Sequence, residues 1–335
     1  VAGQSIAAAN TKIQLKINKW IAKVSVNGLR LRKASRKVQD NLEVVLAAVK
    51  QNGKALYNAS KKLQNNFKVV LAAVSQDGMA LCYADAKLQG HREVVLAAVR
   101  RHGMALQYAN IKLRGDREVV LAAVGKYGTA LFYATSELKD DLIVVVTAVR
   151  QHGPALQYVS ERMRGNECVV SAAVTQNGMA LEHALPLMQN NKAIVLAAAA
   201  QTPWALNHTT AALRADRQFL LQAIALNSNV LDYVHHQLAT DTRDFVLDAV
   251  RSNGFALEFA HQYRSDREIV LAATNKDVGA FQHATAALRA DRNLALTIIR
   301  NWGWGIKYVS PALQEDTEVL AAAISQNPDA LKALK

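Results

Sequence analysis

The apolar residues of this chain fall in short blocks at a fixed spacing. The polar start Asp116-Arg117-Glu118 leads into a six-residue run, Val119 to Val124. After three intervening residues comes Gly128, and then a sparser apolar set, Ala130, Leu131, Tyr133, Ala134 and Leu138. This order recurs every 25 residues, with glycine at 28, 53, 78, 103, 128, 153 and 178 and again at 254 and 303. Self-similarity at a short fixed period marks a stacked array. Where glycine is missing, the leucine three positions on keeps the register: Leu31, Leu56, Leu81, Leu106, Leu131, Leu156, Leu181, Leu206, Leu231, Leu257, then Phe281, Ile306 and Leu331. These positions give thirteen units. The spacing slips to 26 before Leu257 and to 24 before Phe281. The extra residue falls near Thr242-Arg243 and the missing one between Phe259 and Tyr263, so the phase is restored.

The run Val-Val-Leu-Ala-Ala-Val has no clean period, and a strand there followed by a helix would give an α/β horseshoe. Three features favour a helix. Asp116, Asp216, Asp266 and Asp291 stand at N-cap positions, with Glu118 and Glu268 in the first turn, where the helix dipole favours acids. Paired alanines such as Ala47-Ala48 and Ala97-Ala98 suit helices better than strands. The asparagine ladder of leucine-rich repeats is absent. The residue before each glycine is commonly Asn, Asp or His, which predicts a left-handed C-cap. A second helix of about ten residues is predicted through Ala105, Leu106, Tyr108, Ala109 and Leu113. Helices so short are marginal alone and must be held by neighbours. The expected fold is an all-α solenoid of about thirteen 25-residue helix-turn-helix repeats. It reads as one array over 1–335, with a basic degenerate cap at 1–39, repeats at 40–313 and a degenerate cap at 314–335.

Composition narrows the class without naming a function. Half the residues are apolar and five are Pro, which excludes a disordered chain. No apolar run approaches the roughly 18 residues of a membrane span. Cys82 and Cys168 occupy unrelated repeat positions, so neither a disulfide scaffold nor a zinc site is expected. Residues 1–10 lack the charged and apolar segments of an export signal.

The phrase D-R-E-V-V-L-A-A-V-x-x-x-G-x-A-L-x-Y-A, nearly verbatim at 116–134 and 92–109, resembles an uncharacterised repeat family whose domain is a pair of such units, about fifty residues in all. Such domains are frequent in secreted effectors of intracellular bacterial pathogens and occur in some protists. The resemblance is strong over 41–184 and weaker elsewhere, since Pro203, Ser228 and Pro328 replace the glycine and Pro186 enters a second helix. It implies an interaction module in an effector setting, acting in the cytoplasm or inside a host cell. It transfers no catalytic residue.

Chemistry beyond the repeat is sparse. His183, His208 and His283 occupy the slot of Tyr83, Tyr108, Tyr133, Tyr158 and Tyr233 and read as half-buried aromatic substitutes. The adjacent His235 and His236 cannot share one helical face. Asp140-Asp141 and Glu315-Asp316 read as helix starts, and no nucleotide, hydrolase or metalloprotease motif appears. No enzymatic activity, cofactor or metal is expected.

Charge is the stronger clue. Residues 1–126 hold 22 Lys or Arg against 7 Asp or Glu, and residues 127–335 hold 18 against 20. Lys12, Lys16, Lys19 and Lys23 recur at helical spacing, followed by Arg30, Arg32, Lys33 and Arg36. That geometry suits nucleic-acid phosphates, an acidic lipid surface or an acidic protein, and equally a solvated cap.

Two readings fit this pattern. One is a protein-binding scaffold that uses positions varying from unit to unit, above all the residue before each glycine. In that row His102, Tyr127, His152 and Trp302 stand out as candidate partner-binding residues. The other is a nucleic-acid binder whose row reads one base per unit. Against it, Asn, Asp and His are common turn residues, and the basic charge fades after residue 126.

Overall fold

The computed structural model describes the backbone of residues 2–330 and Lys332, and their side chains except those of residues 2–12, 235 and 237–240. Leu331, the last register position, and the side chain of Lys12 lie outside the described residues. Helices are the regular elements, and no strand occurs among the described residues. The all-α solenoid is therefore the fold.

The chain divides into two compact units, Val1–Met188 and Gln189–Lys335. The first stacks the helix Ala2–Val26 and the ten-residue helices Leu42–Gln51, Phe67–Gln76, Arg92–Arg101, Arg117–Lys126, Leu142–Gln151 and Glu167–Gln176. The second stacks Lys192–Gln201, Arg217–Leu226, Arg243–Ser252, Arg267–Lys276, Arg292–Asn301 and Thr317–Gln326. Aspartate or asparagine opens most of these helices. Asp116 Oδ1 accepts the amide N–H groups of Glu118 and Val119 at 3.0 and 3.1 Å, and Asp141 does the same for Ile143 and Val144. These bonds satisfy amides that an α-helix leaves without partners.

Each long helix is clamped between its neighbours in the stack and the segments that come after them. Val119, Val120, Ala123 and Val124 are fully buried, while Leu121 and Ala122 are half-buried. The four fully buried positions share one face of the helix, and the block reads as continuous because Leu121 and Ala122, on the other side, are still partly covered.

The second half of the repeat differs from the single ten-residue α-helix expected. Gly103–Tyr108 is a six-residue 3₁₀ helix, Ala109 is extended, and Ile111–Arg114 is a single α-helical turn. The tighter coil leaves carbonyls at its end, and a side chain from the next turn bonds them. Gln64 Nε2 donates to the carbonyls of Leu56 and Tyr57 at 3.1 and 3.2 Å, and Arg114 does likewise for Gln107 and Ala109. The backbone of each short turn also donates to the preceding one, as from Asp85 to Gln64 and from Asn110 to Gln89.

The left-handed C-cap is likewise corrected. No residue among those described has positive φ. The residue before the glycine is extended, as at Tyr127 (φ −143°, ψ 104°), and serves at once as C-cap of the long helix and N-cap of the 3₁₀ helix. Glycine is needed for close approach. A Cβ at Gly254 would lie 2.5 Å from the carbonyl oxygen of Ala273, in the next long helix, and one at Gly303 would lie 2.7 Å from that of Ala323. The glycine amide also has a partner in the next repeat, since Gly53 donates to Gln76 Oε1 at 2.6 Å and Gly28 to Gln51 Oε1 at 2.7 Å.

Both register slips have structural counterparts. The extra residue lies where an eleven-residue helix, Val230–Thr240, replaces the 3₁₀ helix and short turn. The missing one lies where the 3₁₀ helix shortens to Gly254–Glu258 and the next turn becomes His261–Tyr263.

Candidate partner-binding edge and basic end

The residues before the glycines fall into two chemical groups. Where the residue is Asn or Asp, its side chain caps the 3₁₀ helix: Asn52 Oδ1 accepts the Lys54 amide and Asp77 Oδ1 the Met79 amide, each at 3.0 Å. Asn177, Asn253 and Asp277 repeat the pattern. Variation there records turn chemistry, which removes the main support for reading one base per unit. His102, Tyr127 and His152 are successive members of the row and make no such capping bond.

His102 and Tyr127 instead meet each other. Their rings stack with centroids 4.6 Å apart and planes 21° from parallel, and Tyr127 is 42% exposed. The Nδ1 atom of His102 is buried without a hydrogen-bond partner. A buried polar atom left unbonded is uncommon, and here it borders an open hollow that Asn52, Lys54, Asp77 and Arg101 also line. His152 lies one repeat further on, beside Gly128, and is half-buried. The ring contact of Tyr127 is thus with His102. Trp302 belongs to the second unit, where it opens Gly303–Tyr308 without a capping bond and is 46% exposed.

The basic residues of the first unit face solvent. Lys16, Lys19 and Lys23 lie on the helix Ala2–Val26 and are exposed, with Lys23 Nζ 4.9 Å above the Trp20 ring. Lys12 is on the same helix, its side chain outside the described residues. Arg30, Arg32 and Lys33 project from the 3₁₀ helix Gly28–Lys33, and Arg36 from the turn after it, all exposed.

His183, His208 and His283 are half-buried, as their slot predicts. Burial pushes the His283 imidazole below its ordinary pKa, opposed by Glu258. Cys82 and Cys168 are free thiols, and burial pushes the Cys82 thiol up. Asp141 and Asp316 are N-caps, so the paired acids do mark helix starts. Among the described residues no group of three or more His, Cys, Asp or Glu could hold a metal ion, and no helix is long and apolar enough to cross a membrane.

Two inter-repeat devices escaped sequence reading. One is the glutamine two places before the glycine, at 51, 76, 151 and 176, and before the proline that replaces it, at 201 and 326, a recurrence that comparing the repeats with one another would have shown. The other joins the first residue of a long helix to the N-cap aspartate of the next. Arg117 Nε donates to Asp141 Oδ2 and Arg92 Nε to Asp116 Oδ2, both at 2.8 Å, and in the second unit Arg243 Nε donates to Asp266 Oδ2 at 2.7 Å. The bonded guanidinium holds each of these carboxyls below its ordinary pKa.

A family described as a domain of unknown function (DUF4116) matches the chain at residues 24–64, 41–89, 91–139, 141–189, 242–289 and 291–334. No curated protein and no solved structure matches it.

Proposed function

Starting from the fact that the chain belongs to the domain of unknown function (DUF4116) family, we propose that it is a non-enzymatic scaffold that binds a protein partner along the row of residues preceding the glycines. One observation carries this reading. In a row where Asn and Asp are consumed by capping, three successive members, His102, Tyr127 and His152, are free of that duty, and two of them form an aromatic stack in which the tyrosine is exposed. Exposed aromatics that the fold does not need are the kind of residue on which interface energy concentrates. The repeat supplies a rigid frame, so side chains on the turns can vary without disturbing the core. Trp302 would extend the same use to the second unit. A secreted effector acting inside a host cell is the setting we favour, on the resemblance of the repeat phrase alone, with a cytoplasmic role in the producing cell as the alternative.

The test replaces His102, Tyr127 and His152 together with alanine and compares capture of protein partners from nuclease-treated host lysate with that of the native chain. The triple variant should lose the partners that the native chain retains, with a truncation cost of roughly 2 kcal/mol or more, and its melting temperature should change little. A large drop in melting temperature with unchanged capture would assign the row to the scaffold.

A further inference from the structure

Beside the first three glycine turns of the first unit lies a groove of about 580 Å³ that no part of the repeat logic explains. Its walls carry Arg30, Arg32 and Lys33 from Gly28–Lys33 and Lys54 from Gly53–Asn58. Tyr57 and Tyr83 line it as well. The two rings meet edge to face with centroids 5.3 Å apart, and Tyr57 is 67% exposed. No carboxylate lines the groove. The acids of the adjoining hollows are Asp85 and, in the hollow that Lys54 also lines, Asp77, and the Oδ1 atom of each already accepts a backbone amide, from Lys87 and Met79.

We propose that this groove binds single-stranded nucleic acid, with phosphates on Arg30, Arg32, Lys33 and Lys54 and an unpaired base stacked on the free face of Tyr57. Four cations in a groove that no carboxylate lines make an anion site, and an exposed ring beside them makes a stacking platform. The two together are the requirements of single-strand recognition. A duplex keeps its bases inside the stack and would leave Tyr57 unused. An acidic membrane would draw on the whole basic end, Lys16 and Lys19 included, and would gain little from a ring set in a hollow. Tyr57 stands one place before the recurrent tyrosine slot, so the repeat does not require an aromatic there. The site is also bounded. The tyrosine row continues through Tyr108, Tyr133 and Tyr158, whereas the acid-free set of cations is confined to the first turns, so a strand of a few nucleotides is the fitting ligand. This explains how a basic end can bind nucleic acid although the charge does not extend along the array.

The proposal uses none of His102, Tyr127 or His152, so it stands or falls apart from the partner-binding edge. The test is fluorescence anisotropy of the full chain with labelled oligouridylate and oligothymidylate of about 12 nucleotides, at about 50 mM salt, where phosphate contacts are strong. Tyr57→Ala should weaken binding by about 5- to 100-fold and Tyr57→Phe should leave it nearly intact, because the ring supplies the contact. The combined variant Arg30→Gln, Arg32→Gln, Lys33→Gln should flatten the logarithmic salt dependence by about 2. Equal binding by native chain and Tyr57→Ala would overturn the proposal. So would tighter binding of duplex than of single strand, or binding to vesicles containing phosphatidylserine without binding to either oligonucleotide. Tyr57 is exposed, so circular dichroism of Tyr57→Ala should match the native chain. If it does not, Tyr57→Phe and the charge variant decide the question.

Discussion

The repeats over 91–189 and the stretch 190–241 are built from the same kind of long helix, yet the segment after that helix differs. In the first region Gly103–Tyr108, Gly128–Tyr133 and Gly153–Tyr158 are all 3₁₀ helices. In the second, Pro203–His208 keeps that form, but the next repeat turns at Ser228-Asn229 and winds into the eleven-residue helix Val230–Thr240. The family match also lapses between 189 and 242. Pro203 shows what the site tolerates, since its fixed φ suits the start of a helix. It has no amide proton to give away, and Leu226 stands where a glutamine would otherwise accept one. At Ser228 the glycine is also missing and Ser252 replaces the glutamine acceptor, and there the chain adopts the longer α-helix. Loss of the two restraints is not sufficient for that change, because Pro203–His208 and Val278–His283 keep the 3₁₀ form with neither glycine nor glutamine in place.

The strongest perturbation of the regular region should be Leu106→Ala. Leu106 is fully buried at the centre of its 3₁₀ helix, and a buried leucine truncated to alanine costs about 2 to 5 kcal/mol. Chemical denaturation of the variant measures it, and a loss under about 1 kcal/mol would mean that the 3₁₀ row is not part of the core. Next come the glycines. Gly128→Ala should cost about 1 to 3 kcal/mol by overpacking against the Ala148 carbonyl, whereas Ser228→Ala should stay within about 0.5 kcal/mol. Equal effects at the two positions would erase the distinction between the regions.

Removing the acceptor should matter less than filling the contact. Gln151→Ala leaves the amide of Gly128 without its partner, at a cost of about 1 kcal/mol. Gln157→Ala, whose side chain bonds a carbonyl three residues back within its own turn, is the control and should change little.

The smallest expected effect is electrostatic. Asp141 is held below its ordinary value by Arg117, so its folded pKa lies under its unfolded one of about 3.9. Stabilisation by the pair is present above that value and is lost as pH falls through the depressed folded pKa. The melting temperature of Arg117→Gln should lie slightly below that of the native chain at neutral pH, and the gap should narrow as pH falls below the unfolded value of about 3.9. A gap that stays constant would show that Asp141 is not the partner that matters.

The period, the helix starts and the buried positions were legible because each depends on local sequence. Asp116 caps its own helix, and Val119 and Leu106 are buried in every regular copy of the repeat. The features that stayed hidden depended on the next repeat. The closeness of Gly128 to Ala148, the bond from Gly128 to Gln151 and the pairing of Arg117 with Asp141 all join residues 20 or more apart. No local propensity encodes them. The same holds at the sites. Tyr127 was visible as an oversized turn residue, but its stacking on His102 was not. The groove at Tyr57 could not be seen until three consecutive turns were placed side by side.

The central claim is that each repeat is stabilised by its immediate neighbours. Hydrogen exchange on native chain and Leu106→Ala, resolved along the sequence, tests it most directly. Protection should fall at 103–114 and in the adjoining repeats on either side, and should stay at native levels beyond 242. A uniform loss of protection over both units would contradict the account.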